Sequence, residues 1–378
     1  MKELSLYIHI PFCNKSKCSY CSFVSFCDKE EKIDEYIFAL SKEMEMYKKE
    51  CQDYLVKTIF IGGGTPSVLS PAQISLLFGY IRNSFTISEN VEITIECNID
   101  TLSEEKLLTY KSLGVNRISI GAQSMNDEVL GEIGRRHSSG DVVSAVKLIK
   151  KIGFKSFNVD MMVGLPQQTL QDVRQMTNFL ISQNVPHISC YSLMLEEGTP
   201  LFEKVKVSQV SLPTEDDTVK MYDEVFALLS HNGYSRYEVS NFAKDGFECQ
   251  HNLCYWLGKE YIGLGVSSHS YAKDKRFCNS EKLDDYFGYI NSGEKPIIYE
   301  EILSLPQQRE EYIMLRLRTK YGINLKYFEQ KFGENLLKTR EKEIIFLKNN
   351  NLIEINDNIL KIKDSAFYVM NSIIVKLI

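Results

Sequence analysis

The chain has 378 residues, 44% hydrophobic and 25% charged, and 44 Lys and Arg against 50 Asp and Glu leave a formal charge of -6. These values exclude a disordered, collagenous or fibrous chain, and the acidic balance argues against a protein whose main task is to coat nucleic acid. The length suits two or three domains, or one barrel of about 250 residues with an appendage.

Short β-branched runs alternate with segments of helical period through roughly the first 230 residues. The pattern predicts strands at residues 5–10, 56–61, 91–97, 117–121, 157–163 and 187–193, each followed by a helix. The helix after the first strand places Ile33, Tyr36, Ile37, Leu40, Met44 and Tyr47 on one face. Strands alternating with helices imply a parallel sheet with right-handed crossovers. The six units favour a partial (β/α)6 barrel of the α/β class, with a complete eightfold barrel as the competing architecture.

Residues 204–217 are polar, contain Pro213 and are expected to form a connecting loop. Residues 237–242 and the glycines Gly258, Gly263 and Gly265 mark an irregular segment of short strands and turns. From about Leu305 three helices are expected, then a hairpin of residues 352–355 and 359–362 around Asn356-Asp357-Asn358, then a last helix. The resulting division is a barrel at 1–235, a small mixed segment at 236–304 and a C-terminal winged-helix-like domain at 305–378. No run reaches the ~18 apolar residues of a membrane span, and Met1-Lys2-Glu3 enters a strand without an apolar leader. A cytoplasmic location is expected, with no transmembrane segment but with room for peripheral membrane contact.

Parallel α/β barrels carry their chemistry where the strands end. The unusual residues fall there. Cys13, Cys18 and Cys21 follow the first strand, Gly62-Gly63-Gly64-Thr65-Pro66-Ser67 the second, and Glu96 ends the third. Gly121-Ala122-Gln123-Ser124 ends the fourth strand, and Asp160 with Gly164-Leu165-Pro166 the fifth. Each alone reads as a turn, but five such loops on one rim point to one site.

Ten cysteines in a chain of this length are too sparse for a disulfide scaffold, so the clustering of three is what informs. Structural zinc closes with four ligands, and the nearest candidate for the fourth, His9, lies inside the first strand. Three thiolates on a four-iron cluster leave one iron open to bind a substrate or cofactor. Coincidental buried thiols fit poorly, because Lys15, Ser16 and Lys17 make the loop polar.

Several ordered motifs carry a wider resemblance: Tyr7-Ile8-His9-Ile10-Pro11-Phe12-Cys13, Cys18-Ser19-Tyr20-Cys21, the Gly62–Ser67 run, Gly134-Arg135-Arg136-His137 and Tyr237-Glu238-Val239-Ser240-Asn241-Phe242-Ala243. With the strand-end motifs above they resemble the radical S-adenosylmethionine (SAM) family that contains oxygen-independent coproporphyrinogen III oxidase and its relative, the HemW-type heme chaperone. The resemblance implies a [4Fe-4S] cluster on Cys13, Cys18 and Cys21, with SAM chelating the fourth iron. Reduction of that cluster would cleave SAM to methionine and a deoxyadenosyl radical. By position, Tyr7, Gly63, Gly64, Thr65, Glu96, Gln123, Arg135 and Asp160 are similar to the family's SAM contacts, with Tyr20 between the last two cysteines. The residue types suit the role: glycine lets backbone approach a ligand, and a carboxylate accepts hydrogen bonds from ribose hydroxyls. The chain departs from the family in having four residues rather than three between Cys13 and Cys18, Ser22 after the third cysteine, and Ile99 in place of a proline.

Two branches of the family compete. The oxidase branch has a long N-terminal arm and a fourth cysteine two residues after the third. Here only six residues precede Tyr7, and Phe23 holds the fourth-cysteine position. His251-Asn252-Leu253-Cys254-Tyr255 resembles the His-Asn-x-x-Tyr heme motif of the chaperone branch, implicating His251, Asn252 and Tyr255 in binding heme. Imidazole, phenolate and thiolate all ligate heme iron, so Cys249 and Cys254 compete for that role, and a purely structural part for His251 and Tyr255 stays open. The expectation is a heme chaperone with heme-requiring, respiratory proteins as recipients, and a coproporphyrinogen oxidase as the alternative.

The remaining candidates read as structural. His187 sits on an apolar strand, His231 at a helix end, and His137 beside Arg135, which it orients. Cys27, Cys51, Cys97, Cys190 and Cys278 share no spacing. The C-terminal module carries 13 Lys and Arg against 9 Asp and Glu, but the helix expected at 335–350 mixes Lys338, Arg340, Lys342 and Lys348 with Glu341 and Glu343. A phosphate-tracking surface wants unmixed positive charge, so no nucleic-acid partner is expected.

Overall fold

The computed structural model describes residues 1–378. Strands β1 (Lys2–Ile10), β2 (Tyr54–Gly63), β3 (Ile87–Cys97), β4 (Arg117–Gln123), β5 (Ser156–Val163) and β6 (His187–Ser192) lie side by side in chain order, all parallel. Helices α1 (Ile33–Lys48), α2 (Pro71–Ser84), α3 (Glu104–Ser112), α4 (Asp127–Glu132), α5 (Ser139–Ile152) and α6 (Leu170–Ser182) occupy the connections. Ser70, Ser138 and Thr169 start α2, α5 and α6, each accepting a hydrogen bond from the helix's third amide. Strands β1 and β3 begin earlier than the apolar alternation indicates, because neighbouring backbone satisfies their polar starts.

Alternation along the strands divides the sheet's two faces. Leu4, Leu6, Ile8 and Ile10 of β1, with Ile59, Ile61, Ile93, Ile95, Ile118, Ile120 and Val159, pack beneath the helices in a core of 62 buried residues. Each such side chain contributes about 1.5–3 kcal/mol through burial. The intervening residues, among them Ser5, Tyr7, His9, Thr58, Glu96, Arg117, Asn158 and Asp160, face the concave side. That polar inner face builds the site. A one-residue slip in any strand would exchange the two sets.

Residues 204–217 are only partly the expected loop. They begin inside α7 (Pro200–Lys206) and end inside α8 (Glu215–His231), capped by Thr199 and Thr214. A seven-residue helix shows too little periodicity to read from sequence.

The segment after the barrel continues the sheet. Strand β8 (Asn241–Ala243) adds antiparallel to β6, and β7 (Ser235–Arg236) adds antiparallel to β8 at the sheet edge. Helix α9 (Gln250–Trp256) then enters the concave side, and β9 (Tyr261–Leu264) pairs parallel with β1. Strands β10 (His269–Ala272), β11 (Lys275–Asn279) and, after α10 (Leu283–Asn291), β12 (Ile297–Ile302) complete a 12-stranded open sheet. Both edges of the parallel unit thereby find partners for backbone groups that would otherwise be unpaired.

The C-terminal domain has its own core of 15 buried residues. It comprises α11 (Leu305–Arg316), β13 (Ile323–Asn324), α12 (Leu325–Phe332), α13 (Leu336–Thr339), α14 (Glu341–Asn349), β14 (Ile353–Asn356), β15 (Ile359–Ile362) and α15 (Met370–Leu377), with sheet order β13-β15-β14. Asp357 and Asn358, both at positive φ, make the two-residue hairpin turn. The single helix expected at 335–350 is broken at Arg340, whose φ of -119° is outside the helical range. No helix of the chain is long and apolar enough to cross a membrane.

Candidate cofactor and ligand site

The cysteine loop leaves the end of β1 and is closed at its base. Cys13 N–H donates to Phe26 O (2.9 Å), and Phe26 N–H to Pro11 O (2.6 Å). The extra residue between Cys13 and Cys18 is absorbed in a γ-turn: Lys15 has φ +59°, and Ser16 N–H reaches Asn14 O at 2.7 Å. Beyond it, Ser19 N–H donates to Ile133 O (3.1 Å) and Ser19 O accepts from Leu201 N–H (2.8 Å). His9, buried in β1, holds the return limb through Nε2 to Val24 O (2.9 Å). Cys13, Cys18 and Cys21 are free thiols, each partly exposed at the rim. No three His, Cys, Asp or Glu side chains gather on a single-ion position anywhere in the chain. Thiolates that span a four-iron cube stand farther apart than the ligands of one ion.

A chain of hydrogen bonds ties this loop to the neighbouring strand ends. Thr65 Oγ1 lies 3.8 Å from Cys13 Sγ and accepts from Asn98 Nδ2 at 2.9 Å. Arg135 donates to Asn98 Oδ1 (3.1 Å) and to the Tyr20 hydroxyl (2.8 Å). The rim thus brings Cys13 and Tyr20 of the cysteine loop together with Thr65 and Arg135 from two further loops.

Glycine is required beside them. Gly63 has φ +115°, donates its N–H to Glu96 Oε2 (3.1 Å), and a Cβ there would sit 2.6 Å from the His9 ring. A Cβ on Gly64 would meet Phe12 O at 2.7 Å. Two buried polar atoms on this rim, Gln123 Oε1 and Arg135 Nε, have no hydrogen-bond partner. Unpaired buried groups beside a glycine cradle are what a polar ligand would satisfy.

Below the rim, Tyr7, Glu96, Arg117, Asp160, Asn252 and Tyr255 help enclose a cavity of about 190 Å³. Burial and the nearby Asp160 charge push the Glu96 carboxyl up to about 7. Asp160 is also raised by burial, although Asn158 Nδ2 donates to it at 2.6 Å. Arg117, only 2% exposed, supplies the compensating positive charge. Sequence analysis missed Arg117 and Asn158, since each reads as an ordinary strand residue, and Asn98, which reads as part of the turn after β3; a charged residue opening an otherwise apolar strand was the available signal for Arg117.

The His251–Tyr255 segment is a regular helix, with His251, Leu253 and Cys254 buried and Asn252 and Tyr255 partly exposed. Glu92 of β3 accepts the N–H groups of Gln250 (3.1 Å) and His251 (2.9 Å), pinning the start of α9. The His251 ring stacks on Phe60 with centroids 5.1 Å apart. Its Nδ1 meets Thr58 Oγ1 and its Nε2 the Tyr255 hydroxyl, each at 2.8 Å. Burial pushes its pKa down to about 3, keeping the ring neutral. With both nitrogens engaged, His251 has no lone pair free for iron, and it fixes Tyr255 instead. Cys249 is fully buried, and Cys254 accepts a hydrogen bond from Ser5 Oγ (2.9 Å).

Tyr255 also faces a second, larger space. A cleft of about 1010 Å³ opens between the cysteine loop, the end of α9, the β10–β11 hairpin and helices α11 and α12. Phe23, Trp256, Tyr271, Tyr312 and Leu315 give it apolar surface. The other expected structural histidines are engaged elsewhere: His137 Nε2 with Ala122 O (3.1 Å), His187 with Asn158 and Tyr237, and His231 with Ala227 O (2.7 Å) at the end of α8.

Residues 7–180 match the model of the radical SAM superfamily, and residues 303–369 that of the HemN C-terminal domain. A Lactococcus lactis protein named heme chaperone HemW is 35% identical over 375 residues, covering 99% of this chain and 97% of that relative. The Bacillus subtilis protein of the same name is 37% identical over 335 residues, 88% of each chain. The chain belongs to the HemW family of radical SAM proteins. Coproporphyrinogen III oxidase (HemN) from Escherichia coli, a radical SAM enzyme, shares the HemW-family fold seen here, with a TM-score of 0.88 over 100% of this chain and 90% of that one at 22% identity. Radical SAM membership brings a [4Fe-4S] cluster and SAM as cofactors. Three free thiols, a glycine cradle and two unpaired buried polar atoms on one rim suit that pair.

Proposed function

We propose that this protein binds heme and delivers it to heme-requiring proteins, respiratory ones among them, as the name of its HemW relatives indicates. The cleft carries this reading: it is large enough for a macrocycle, rich in aromatic surface, and opens directly beside the cysteine loop. His251, Asn252 and Tyr255 form its inner support, acting through Tyr255, which alone of the three lines the cleft. Phe23, 68% exposed, presents an apolar ring to the cleft at the position where the oxidase branch has a thiol.

In the same proposal Cys13, Cys18 and Cys21 hold the cluster, and Tyr7, Tyr20, Gly63, Gly64, Thr65, Glu96, Gln123, Arg135 and Asp160 surround SAM. A cluster held there would supply the electron that reductive cleavage of SAM requires. Arg135 orients Tyr20 and Asn98, while Glu96, raised to about 7 by burial, exchanges between carboxylate and carboxylic acid near neutrality and so can accept or donate a hydrogen bond. The protein works in the cytoplasm, touching membranes only peripherally and nucleic acid not at all.

Anaerobically reconstituted protein titrated with heme should saturate near one heme per chain by absorbance. It should release no carbon dioxide from coproporphyrinogen III with SAM and a reductant. Unsaturable heme binding together with carbon dioxide release would replace this reading with the oxidase.

A further inference from the structure

We propose that heme lies in the cleft between sheet and C-terminal domain with His269 as the axial ligand of its iron, and with Arg316 and Lys331 as partners of its propionates. The inference rests on the heme-binding reading above and assigns its site.

The chain has six histidines. Five use ring nitrogens in hydrogen bonds: His9, His137, His187, His231 and His251. His9 borders the cleft, but Nδ1 meets the Tyr7 hydroxyl (3.0 Å) and Nε2 meets Val24 O. His269 is the exception: exposed, on the cleft wall, with a ring that makes no hydrogen bond. A neutral imidazole with an open nitrogen is what heme iron takes.

The position is held rigidly. His269 opens β10, where the hairpin register sets it opposite Cys278 and sets Tyr271 opposite Arg276. Residues two apart on a strand share a face, so His269 and Tyr271 point together, and both line the cleft. The backbone of His269 packs so closely on Gly263 that a Cβ there would collide with its carbonyl, and Gly263 N–H donates to Ser270 Oγ (2.9 Å). The imidazole thus projects from a fixed strand rather than from a loop.

Charge on the cleft wall completes the match. Arg276 is engaged by Glu311 and Glu301, and Lys259 by Glu3. Arg316, on α11, gives its Nε to Gly322 O (2.9 Å), which leaves its terminal nitrogens for another acceptor. Lys331, on α12, borders the same cleft, and neither cation has a carboxylate partner. Two unpaired cations facing one imidazole across an aromatic cleft fit a dianionic metalloporphyrin.

The test is a heme titration of the reconstituted full chain, followed by absorbance and electron paramagnetic resonance. His269→Ala should lose the histidine-ligated heme spectrum and bind at least about tenfold more weakly, and added imidazole should restore the ligated spectrum. His231→Ala, altered at the exposed end of α8, should behave as the native chain. Arg316→Ala with Lys331→Ala should keep the ligated spectrum but bind heme about as weakly as the native chain binds heme dimethyl ester. Should His269→Ala unfold by circular dichroism, His269→Gln carries the same test. A folded His269 variant with an unchanged histidine-ligated spectrum overturns the assignment and leaves heme binding standing. A native chain that never saturates removes the heme-binding reading itself.

Discussion

The Tyr255 hydroxyl lies 2.8 Å from Nε2 of His251, one turn back on α9, while Nδ1 of the same ring lies 2.8 Å from Thr58 on β2. The ring therefore bridges a helix to a strand 193 residues away in the chain. It is buried and neutral, and it decides where the Tyr255 side chain stands.

His251→Ala should destabilise the protein by about 2–5 kcal/mol. Two buried hydroxyls lose a partner, at about 1–3 kcal/mol each, and the stack on Phe60 is replaced by a void. Denaturant unfolding of the apo-protein measures this. Heme affinity should fall because Tyr255 is released, while the iron-ligation spectrum keeps its histidine character. Loss of that character in a stably folded variant would make His251 itself the ligand.

Arg135 connects Tyr20 to Asn98 across the rim, with its Nε unpaired. Arg135→Lys cannot reach both partners, because an ammonium lacks the planar fork. Iron and sulfide contents should stay near those of the native chain, and SAM affinity should fall by about tenfold or more. Calorimetric titration of the reconstituted variant reads this, and unchanged affinity would remove Arg135 from the SAM site.

Lys15 sits at φ +59° in the γ-turn that absorbs the additional loop residue. Glycine reaches that region without the cost of a Cβ, about 1–2 kcal/mol for other residues. Lys15→Gly should retain the cluster and leave stability equal or higher, whereas Lys15→Pro, confined to negative φ, should lower cluster retention. Iron and acid-labile sulfide per chain distinguish the two.

Glu43 is fully buried in α1, accepting from Tyr286 (2.7 Å), Gly265 N–H (2.8 Å) and Asn279 (2.6 Å), and burial pushes its pKa from 4.5 up to about 7. Folding therefore binds a proton between those values. Stability should fall as pH rises from 4.5 to about 7 and level off above, by about 1.4 kcal/mol per pH unit at most. Glu96, raised to about 7 as well, adds a slope of the same sign. Glu43→Gln should flatten the dependence, as thermal unfolding between pH 5 and about pH 8 would show; an unaltered slope would place the titration elsewhere.

What the sequence determined by itself was whatever is local or periodic. Period-two runs such as Leu4, Leu6, Ile8 and Ile10 fixed which strand faces are oily, and strand-end motifs fixed the rim that carries Cys13, Gly63 and Gln123, with Glu96 and Asp160 just below it. The hairpin turn at Asp357 and Asn358 is written in residues that accept positive φ. Tertiary structure alone decided what depends on pairing across long separations. Residues 236–304 show only short, broken patterns, yet they extend the sheet at both edges because strand edges require partners. His251 looked available in its motif and is enclosed by Thr58, Phe60 and Tyr255, whereas His269 had no motif and stands open in a cleft made by the sheet and the C-terminal helices. A side chain's chemistry is set by its type, but whether its lone pair is free is set by neighbours that only the folded chain supplies.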